Sequence, residues 1–273
     1  MAFRIAHVSD LHIAADGVDV EPGVKAAQSF SELVQFLAPQ CDLIVVSGDV
    51  SSRNGRRLDY EFAAAVRGAC AVPMLFAAGN HDDPAVMHEV LPPLYGATQG
   101  PTQMDYRVDF QQQPIVVLDS SRSGSVGGSL SKEQVGWARG ELVRSPGALL
   151  VLHHPPRQLS PSCVLDILLD EESSERLAAL LTDAPPAAVL CGHLHTPIAT
   201  SMSNVPLFVA PSSAYELDLS TTEVGFRLPV VQAWLHSIDS RTVVQLASTL
   251  VSPNPFRPTT QTRTARNLSL PSE

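Results

Sequence analysis

Cysteine is scarce in this 273-residue sequence, and no two of its four cysteines, Cys41, Cys70, Cys163 and Cys191, stand in C-x-x-C spacing. A disulfide scaffold and a thiolate zinc knuckle are thereby excluded. The four read as free thiols in or beside apolar segments, in a reducing compartment. Long hydrophobic runs are also missing. None approaches the ~20 residues of a membrane span, and Met1 to Ile5 starts a strand at once instead of showing the basic start and apolar centre of a secretory signal. The expectation is a soluble, cytoplasmic protein with no membrane partner. Positive charge is in deficit, with 18 Lys and Arg against 28 Asp and Glu and a formal net charge of -10. The chain therefore lacks the broad basic footprint that long nucleic acids require. No internal repeat is present.

What is there is a chain 44% hydrophobic and 17% charged, the balance of one large globular domain. Short apolar runs recur at Phe3 to Val8, Leu43 to Val46, Met74 to Ala77, Ile115 to Leu118, Leu149 to Leu152, Val189 to Leu190 and Leu207 to Val209. Their near-continuous apolarity predicts strands covered on both faces. Apolar positions at three- and four-residue steps predict helices over Val24 to Leu37, Tyr60 to Val66, Pro84 to Val90, Lys132 to Val143 and Glu171 to Leu181, the last capped by Asp170. The alternation in the first third predicts an α/β fold with parallel strands. Strand-like runs from Val230 to Leu250 without an intervening helix predict a second, partly antiparallel sheet. One domain over residues 1–251 is expected, followed by a tail over 252–273 rich in Pro, Thr, Ser and Arg that is disordered or lightly packed.

Five polar fragments follow these runs: Asp10-Leu11-His12, Gly48-Asp49, Gly79-Asn80-His81-Asp82, His153-His154-Pro155 and Gly192-His193-Leu194-His195. Open α/β sheets build their sites at the carboxyl ends of strands. Carboxylate, imidazole and amide together, without thiolate, are the ligand chemistry of hard-to-borderline divalent metals. Alternation along an extended chain would put Asp10 and His12, and likewise His193 and His195, on one face. Asp49 just past a buried strand can cap a helix or bridge two cations. Asn80 offers a neutral ligand, and an acidic neighbour would orient the His81 ring. Of the adjacent His153 and His154, only one is expected to face a site, and the residues alone leave the choice open. Any one fragment fits an Asx turn or a solvated imidazole as well. Five in order, each after a strand, fit a metal constellation better. By default His7, His88, His154 and His236 are expected to be structural or superficial.

In this order the fragments resemble the calcineurin-like metallophosphoesterase superfamily over about Ile5 to Tyr215. Together with Leu118-Asp119-Ser120-Ser121-Arg122, they are similar to bacterial class III cyclic-nucleotide phosphodiesterases and their glycerophosphodiesterase relatives. The resemblance implies a four-layer α-β-β-α sandwich of two facing mixed sheets with flanking helices. It implies one metal held by Asp10, His12, His195 and bridging Asp49, and a second held by Asp49, Asn80, His153 and His193, with His153 chosen over His154. His81 would face the substrate phosphate, oriented by Asp82, these two forming the catalytic pair. Some glycerophosphodiesterase members carry a histidine where this chain has Tyr215.

The function implied is hydrolysis of a small phosphodiester, a 3',5'-cyclic nucleotide or a glycerophosphodiester. The two divalent or trivalent ions, drawn from Fe, Mn, Zn or Co, supply a bridging hydroxide, so no serine or cysteine nucleophile is needed. His81 would protonate or stabilise the leaving oxygen. A phosphomonoesterase or nucleotidase on the same metals is the alternative, and a non-catalytic scaffold of the same fold ranks below both. The partner expected is the small-molecule phosphodiester itself, and a homo-oligomer is compatible with the sequence. Arg53, Arg56, Arg57 and Arg122 are candidate substrate contacts, although an exposed arginine is more often solvated surface.

Overall fold

Strand follows helix from Phe3 onward in the computed structural model, which describes residues 2–18, 24–159, 166–218, 225–227, 231–239, 245–251 and 263–264. The first half runs β1 (Phe3–Val8), α1 (Ala26–Leu37), β2 (Leu43–Val46), α2 (Arg57–Ala69), β3 (Met74–Phe76) and α3 (Pro84–Val90). The short β4 (Thr98–Gln99), β5 (Tyr106–Phe110), β6 (Gln113–Leu118), α4 (Lys132–Arg144) and β7 (Leu149–Leu152) follow. Then come α5 (Glu171–Asp183), β8 (Ala188–Cys191), β9 (Ile198–Met202), β10 (Val205–Val209), β11 (Glu216–Asp218), β12 (Gly225–Arg227), β13 (Ala233–Asp239), β14 (Gln245–Val251) and β15 (Arg263–Thr264).

Two mixed sheets carry the fold. The first has the order β14-β13-β1-β2-β3, and the second has the order β4-β5-β6-β7-β8-β10-β9. In the first, β1, β2 and β3 are parallel, and β13 runs antiparallel to β1. In the second, β6, β7, β8 and β10 are parallel, with β5 and β9 antiparallel beside them. The strands expected between Val230 and Leu250 thus do not form a second sheet. They complete the first one, because Trp234 to Ile238 pairs with Phe3 to His7 along the free edge of β1.

Why the apolar runs are unbroken is visible in β6. Ile115 and Val117 pack into a core with Leu149, Val151 and Leu190, whereas Val116 and Leu118 pack on the other side with Leu150, Leu152, Leu177 and Leu180 of α5. Each face of the strand meets a covering layer, so alternation of apolar with polar residues is lost. Burying each such side chain contributes about 2 kcal/mol relative to exposure. Helix starts are capped locally. Asp83 accepts from Ala85 and Val86 N–H ahead of Pro84, Ser131 and Gln134 form a reciprocal capping box, and Asp170 accepts from Ser173 N–H at 2.8 Å.

A third, three-stranded sheet has the order β11-β12-β15, so Arg263 and Thr264 of the expected tail pair with β12. The rest of 252–273 lies outside the described residues, as does Cys163. Cys41, Cys70 and Cys191 are free thiols. Among the described residues no helix is long and apolar enough to cross a membrane.

Candidate metal centre

Five strand ends from the two sheets converge. Asp10 and His12 lie beyond β1, Asp49 beyond β2, Asn80 beyond β3, His153 directly after β7, and His193 and His195 beyond β8. The loops are laced by backbone hydrogen bonds: Asp10 N–H donates to Gly48 O and His12 N–H to Asp49 O, each at 3.0 Å, and Gly192 N–H donates to His153 O at 2.9 Å.

The alternation argument for the paired residues needs correction. β1 ends at Val8 and β8 at Cys191, so the pairs sit in turns. Positive φ brings them together: Asp10 at 52°, His12 at 43°, Asp49 at 52°, His193 at 72° and His195 at 53°. Non-glycine residues avoid this left-handed region, at a cost of order 1–3 kcal/mol each, and its concentration at functional sites is the usual pattern. Two glycines give the loops room. A Cβ on Gly48, at φ +109°, would overlap the His153 ring, and one on Gly79 would overlap the Asp49 carboxylate.

Asp10, His12, Asp49 and His195 offer ligand atoms that all lie within 4.8 Å of one another. His12 Nε2 is 3.0 Å from His195 Nε2, and His195 Nε2 is 3.2 Å from Asp10 Oδ1. Asp49 Oδ1 accepts from His81 N–H at 2.8 Å. That leaves Oδ2 facing both sides, 3.7 Å from His12 Nε2 and 3.4 Å from His153 Nε2. His153, His154 and His193 form a second cluster of the same kind.

The tautomers are set from outside the site. His153 Nδ1 donates to Ser47 O at 2.8 Å and His195 Nδ1 to Tyr215 O at 2.9 Å, so each presents a bare Nε2 inward when neutral. His154 differs. Its Nδ1 accepts from Ser120 Oγ at 2.8 Å and its Nε2 donates to Val126 O at 3.1 Å, which leaves no lone pair for an ion.

Four buried atoms of the candidate ligands have no hydrogen-bond partner: Asp10 Oδ1, Asn80 Oδ1, His153 Nε2 and His193 Nε2. An unpaired buried polar atom costs ~1–3 kcal/mol, and four of them on candidate ligands call for an explanation. Carboxylate, amide and imidazole lone pairs without donors are what hard-to-borderline cations accept, so the donor set fits metal ions.

The charges agree. Burial would raise the Asp10 and Asp49 carboxyls, but neighbouring imidazoles outweigh it and hold both below the usual carboxylate range: His195 and His153 at Asp10, and His153, His81 and His12 at Asp49. Burial, reinforced by His81 and His195, keeps His12 neutral, and burial with His153 lowers His193 to about 3. Burial also pulls His153 down, yet Asp49 and Asp10 override it and lift the imidazole to about 9.

The other expected residues lie around this core. His81 is half-buried, with its ring edge-on to His12 at 4.8 Å between centroids. Asp82 does not serve the His81 imidazole. Its oxygens accept from Val50, Ser51 and Gly79 N–H and from the Tyr60 hydroxyl, at 2.9 to 3.2 Å. The Tyr215 ring packs on His195 and His12 at 4.4 and 5.3 Å between centroids. Arg56 pairs with Asp16, Arg57 with Glu89, and Arg122 with Ser125 and Asp170, while Arg53 is exposed. Ser47 and Tyr215 are the histidine partners that carry no signal in the sequence. Both act through a backbone carbonyl, which leaves no side-chain signal.

The calcineurin-like phosphoesterase family profile matches residues 3–197. The chain belongs to that family. It is accordingly a metal-dependent phosphoric ester hydrolase, and its buried Asp and His clusters are consistent with the two-metal site of such enzymes. A glycerophosphodiester phosphodiesterase of Enterobacter lignolyticus is 31% identical over 224 residues, 78% of this chain and 78% of that one. A cAMP/cGMP dual specificity phosphodiesterase of Mycobacterium tuberculosis is 30% identical over 241 residues, 82% of this chain and 72% of that one. Among solved structures, a purple acid phosphatase from yellow lupin seeds shares the fold, with a TM-score of 0.56 at 16% identity. That match covers 92% of this phosphoesterase but 54% of the lupin chain, so the present chain spans about half of it.

Proposed function

We propose that this phosphoesterase hydrolyses small phosphodiesters, a 3',5'-cyclic nucleotide or a glycerophosphodiester, at a two-ion centre. Asp10, His12, Asp49 and His195 hold one ion, and Asp49, Asn80, His153 and His193 hold the other. The observation that carries the reading is the set of four orphaned buried ligand atoms, together with an Asp49 oxygen that lies 3.7 Å from His12 Nε2 and 3.4 Å from His153 Nε2. The names of the two relatives supply the substrate class.

When bound, the ions supply a water of lowered pKa and neutralise phosphate charge. The protein does the rest. Ser47 and Tyr215 carbonyls hold His153 and His195 in the tautomer that presents Nε2. His81, tethered by its own N–H to Asp49 and half-exposed at the rim, donates a proton or a hydrogen bond to the leaving oxygen. The burial of Asp10, His12, Asp49 and His153 excludes bulk water and strengthens each of these interactions.

The test is a parallel assay of bis-p-nitrophenyl phosphate and p-nitrophenyl phosphate on metal-stripped and metal-reconstituted protein. Metal-dependent turnover favouring the diester is expected. A preference for the monoester would move the assignment to a phosphomonoesterase on the same ligands.

A further inference from the structure

Asp82 is a buried carboxylate with no hydrogen bond to the His81 ring or to a ligand atom of the two clusters, yet every backbone hydrogen bond it accepts comes from a loop that carries a proposed ligand. Val50 and Ser51 N–H, at 3.0 to 3.2 Å, belong to the two residues after Asp49. Gly79 N–H, at 2.9 Å, belongs to the residue before Asn80. The strip that Asp82 holds is in turn paired with the loop after β1: Ile13 N–H donates to Val50 O at 2.9 Å and Ser52 N–H to Ile13 O at 3.0 Å. The Tyr60 hydroxyl donates to Asp82 Oδ1 at 3.1 Å and accepts from Asp83 N–H at 2.8 Å, which fixes the assembly to α2.

The backbone of Asp49 is in the left-handed region at φ 52°. Such a conformation persists only when its surroundings over-determine it. Both amides that follow Asp49 are captured by one anion, and hydrogen bonds to an ionised acceptor are about twice as strong as neutral ones. Removing that anion frees the turn to relax toward negative φ, which swings the Asp49 carboxylate away from the point where it faces His12 and His153.

We propose that Asp82 is a positioning residue for the metal centre: it splices the loops bearing Asp10 and His12, Asp49, and Asn80 into one rigid cradle, and acts on the ions through that cradle and not through His81. The proposal rests on the two-ion reading of the site.

The test is Asp82→Asn, which keeps the size and removes the charge. Mn2+ binding to metal-stripped protein is followed by calorimetry, and turnover at saturating Mn2+ is measured on bis-p-nitrophenyl phosphate and on glycerophosphoethanolamine, whose leaving group is an alkoxide. A loss of Mn2+ affinity of about 10- to 100-fold is expected, the range for residues that orient metal ligands. The remaining turnover defect should be equal on the two substrates. Affinity within twofold of wild type overturns the proposal, and a defect confined to the alkoxide substrate would return Asp82 to the role of His81 partner. Should Asp82→Asn fail to fold by circular dichroism, Tyr60→Phe carries the test. It keeps the carboxylate and removes one of its donors, and a loss of roughly threefold or more in affinity is expected as the cradle loosens, with an unchanged affinity overturning the idea. A wild-type protein that binds no Mn2+ overturns the two-ion reading, and this assignment with it.

Discussion

Acid should destabilise this protein through two imidazoles that have no part in its chemistry. His7 of β1 and His236 of β13 are 0% and 1% exposed, with rings 5.6 Å apart and His236 Nε2 3.4 Å from His7 Nδ1. Ser47 Oγ contacts His7 Nε2 at 2.9 Å, Ser248 Oγ contacts His236 Nδ1 at 2.7 Å, and Phe208 and Trp234 pack beside His236. Burial lowers His236 to about 3, and burial together with His236 lowers His7 well below its ordinary value. Both are neutral in the native state, while in the unfolded chain each protonates near pH 6.5. The unfolded state then binds more protons, so stability rises with pH. The contribution is complete above about pH 7 and is lost as pH falls from 6.5 toward 3. Each imidazole costs ~1.4 kcal/mol per pH unit in that window, so at pH 5 the pair costs about 4 kcal/mol relative to pH 8. That is a large share of a typical total of ~5–15 kcal/mol. Urea unfolding of metal-free protein at pH 8 and pH 5 should show it, and His236→Phe should reduce the difference between the two pH values by about 2 kcal/mol. Other titrating groups are common to both proteins and cancel in the comparison. An identical pH 8 to pH 5 loss in wild type and variant would refute the reasoning.

His153→Ala is expected to lose metal and turnover, whereas His154→Ala should keep both and lose ~1–3 kcal/mol of stability through the stranded Ser120 hydroxyl and Val126 carbonyl, as read by elemental analysis and urea melts. Reversal of the two would exchange their roles. His81→Ala should keep both ions and lose turnover ~10²–10⁴-fold on an alkyl diester, and less on bis-p-nitrophenyl phosphate, because nitrophenolate leaves without a proton. Equal defects on both substrates would mean that His81 only positions the phosphate.

Much of the fold was legible because a strand buried on both faces leaves an unbroken apolar run, as Ile115 to Leu118 and Leu149 to Leu152 do. The fragments after those runs marked the site for the same reason, since polar residues at the end of a buried strand have few structural uses. What escaped has equally specific causes. The β5–β6 hairpin turns through Gln111 and Gln112 at φ 48° and 69°, and β9–β10 through Ser203 and Asn204 at 49° and 64°. Both are two-residue turns with positive φ but without the Asn-Gly or Asp-Gly that announces such a turn. The destination of β13 depends on which sheet edge is open, a tertiary fact that periodicity does not carry. Three of the partners of Asp82 are backbone amides, on Val50, Ser51 and Gly79, and those of His153 and His195 are carbonyls, so nothing in the side-chain text distinguished them.

The most direct measurement on the central claim is the metal content of the reconstituted wild-type protein beside Asp49→Ala. Asp49 Oδ2 is the carboxylate oxygen that faces both His12 and His153, so its removal should empty both positions at once. Two ions per chain in the wild type and close to none in the variant, with activity lost in parallel, is the expected result. Two ions per chain retained by Asp49→Ala would contradict the account.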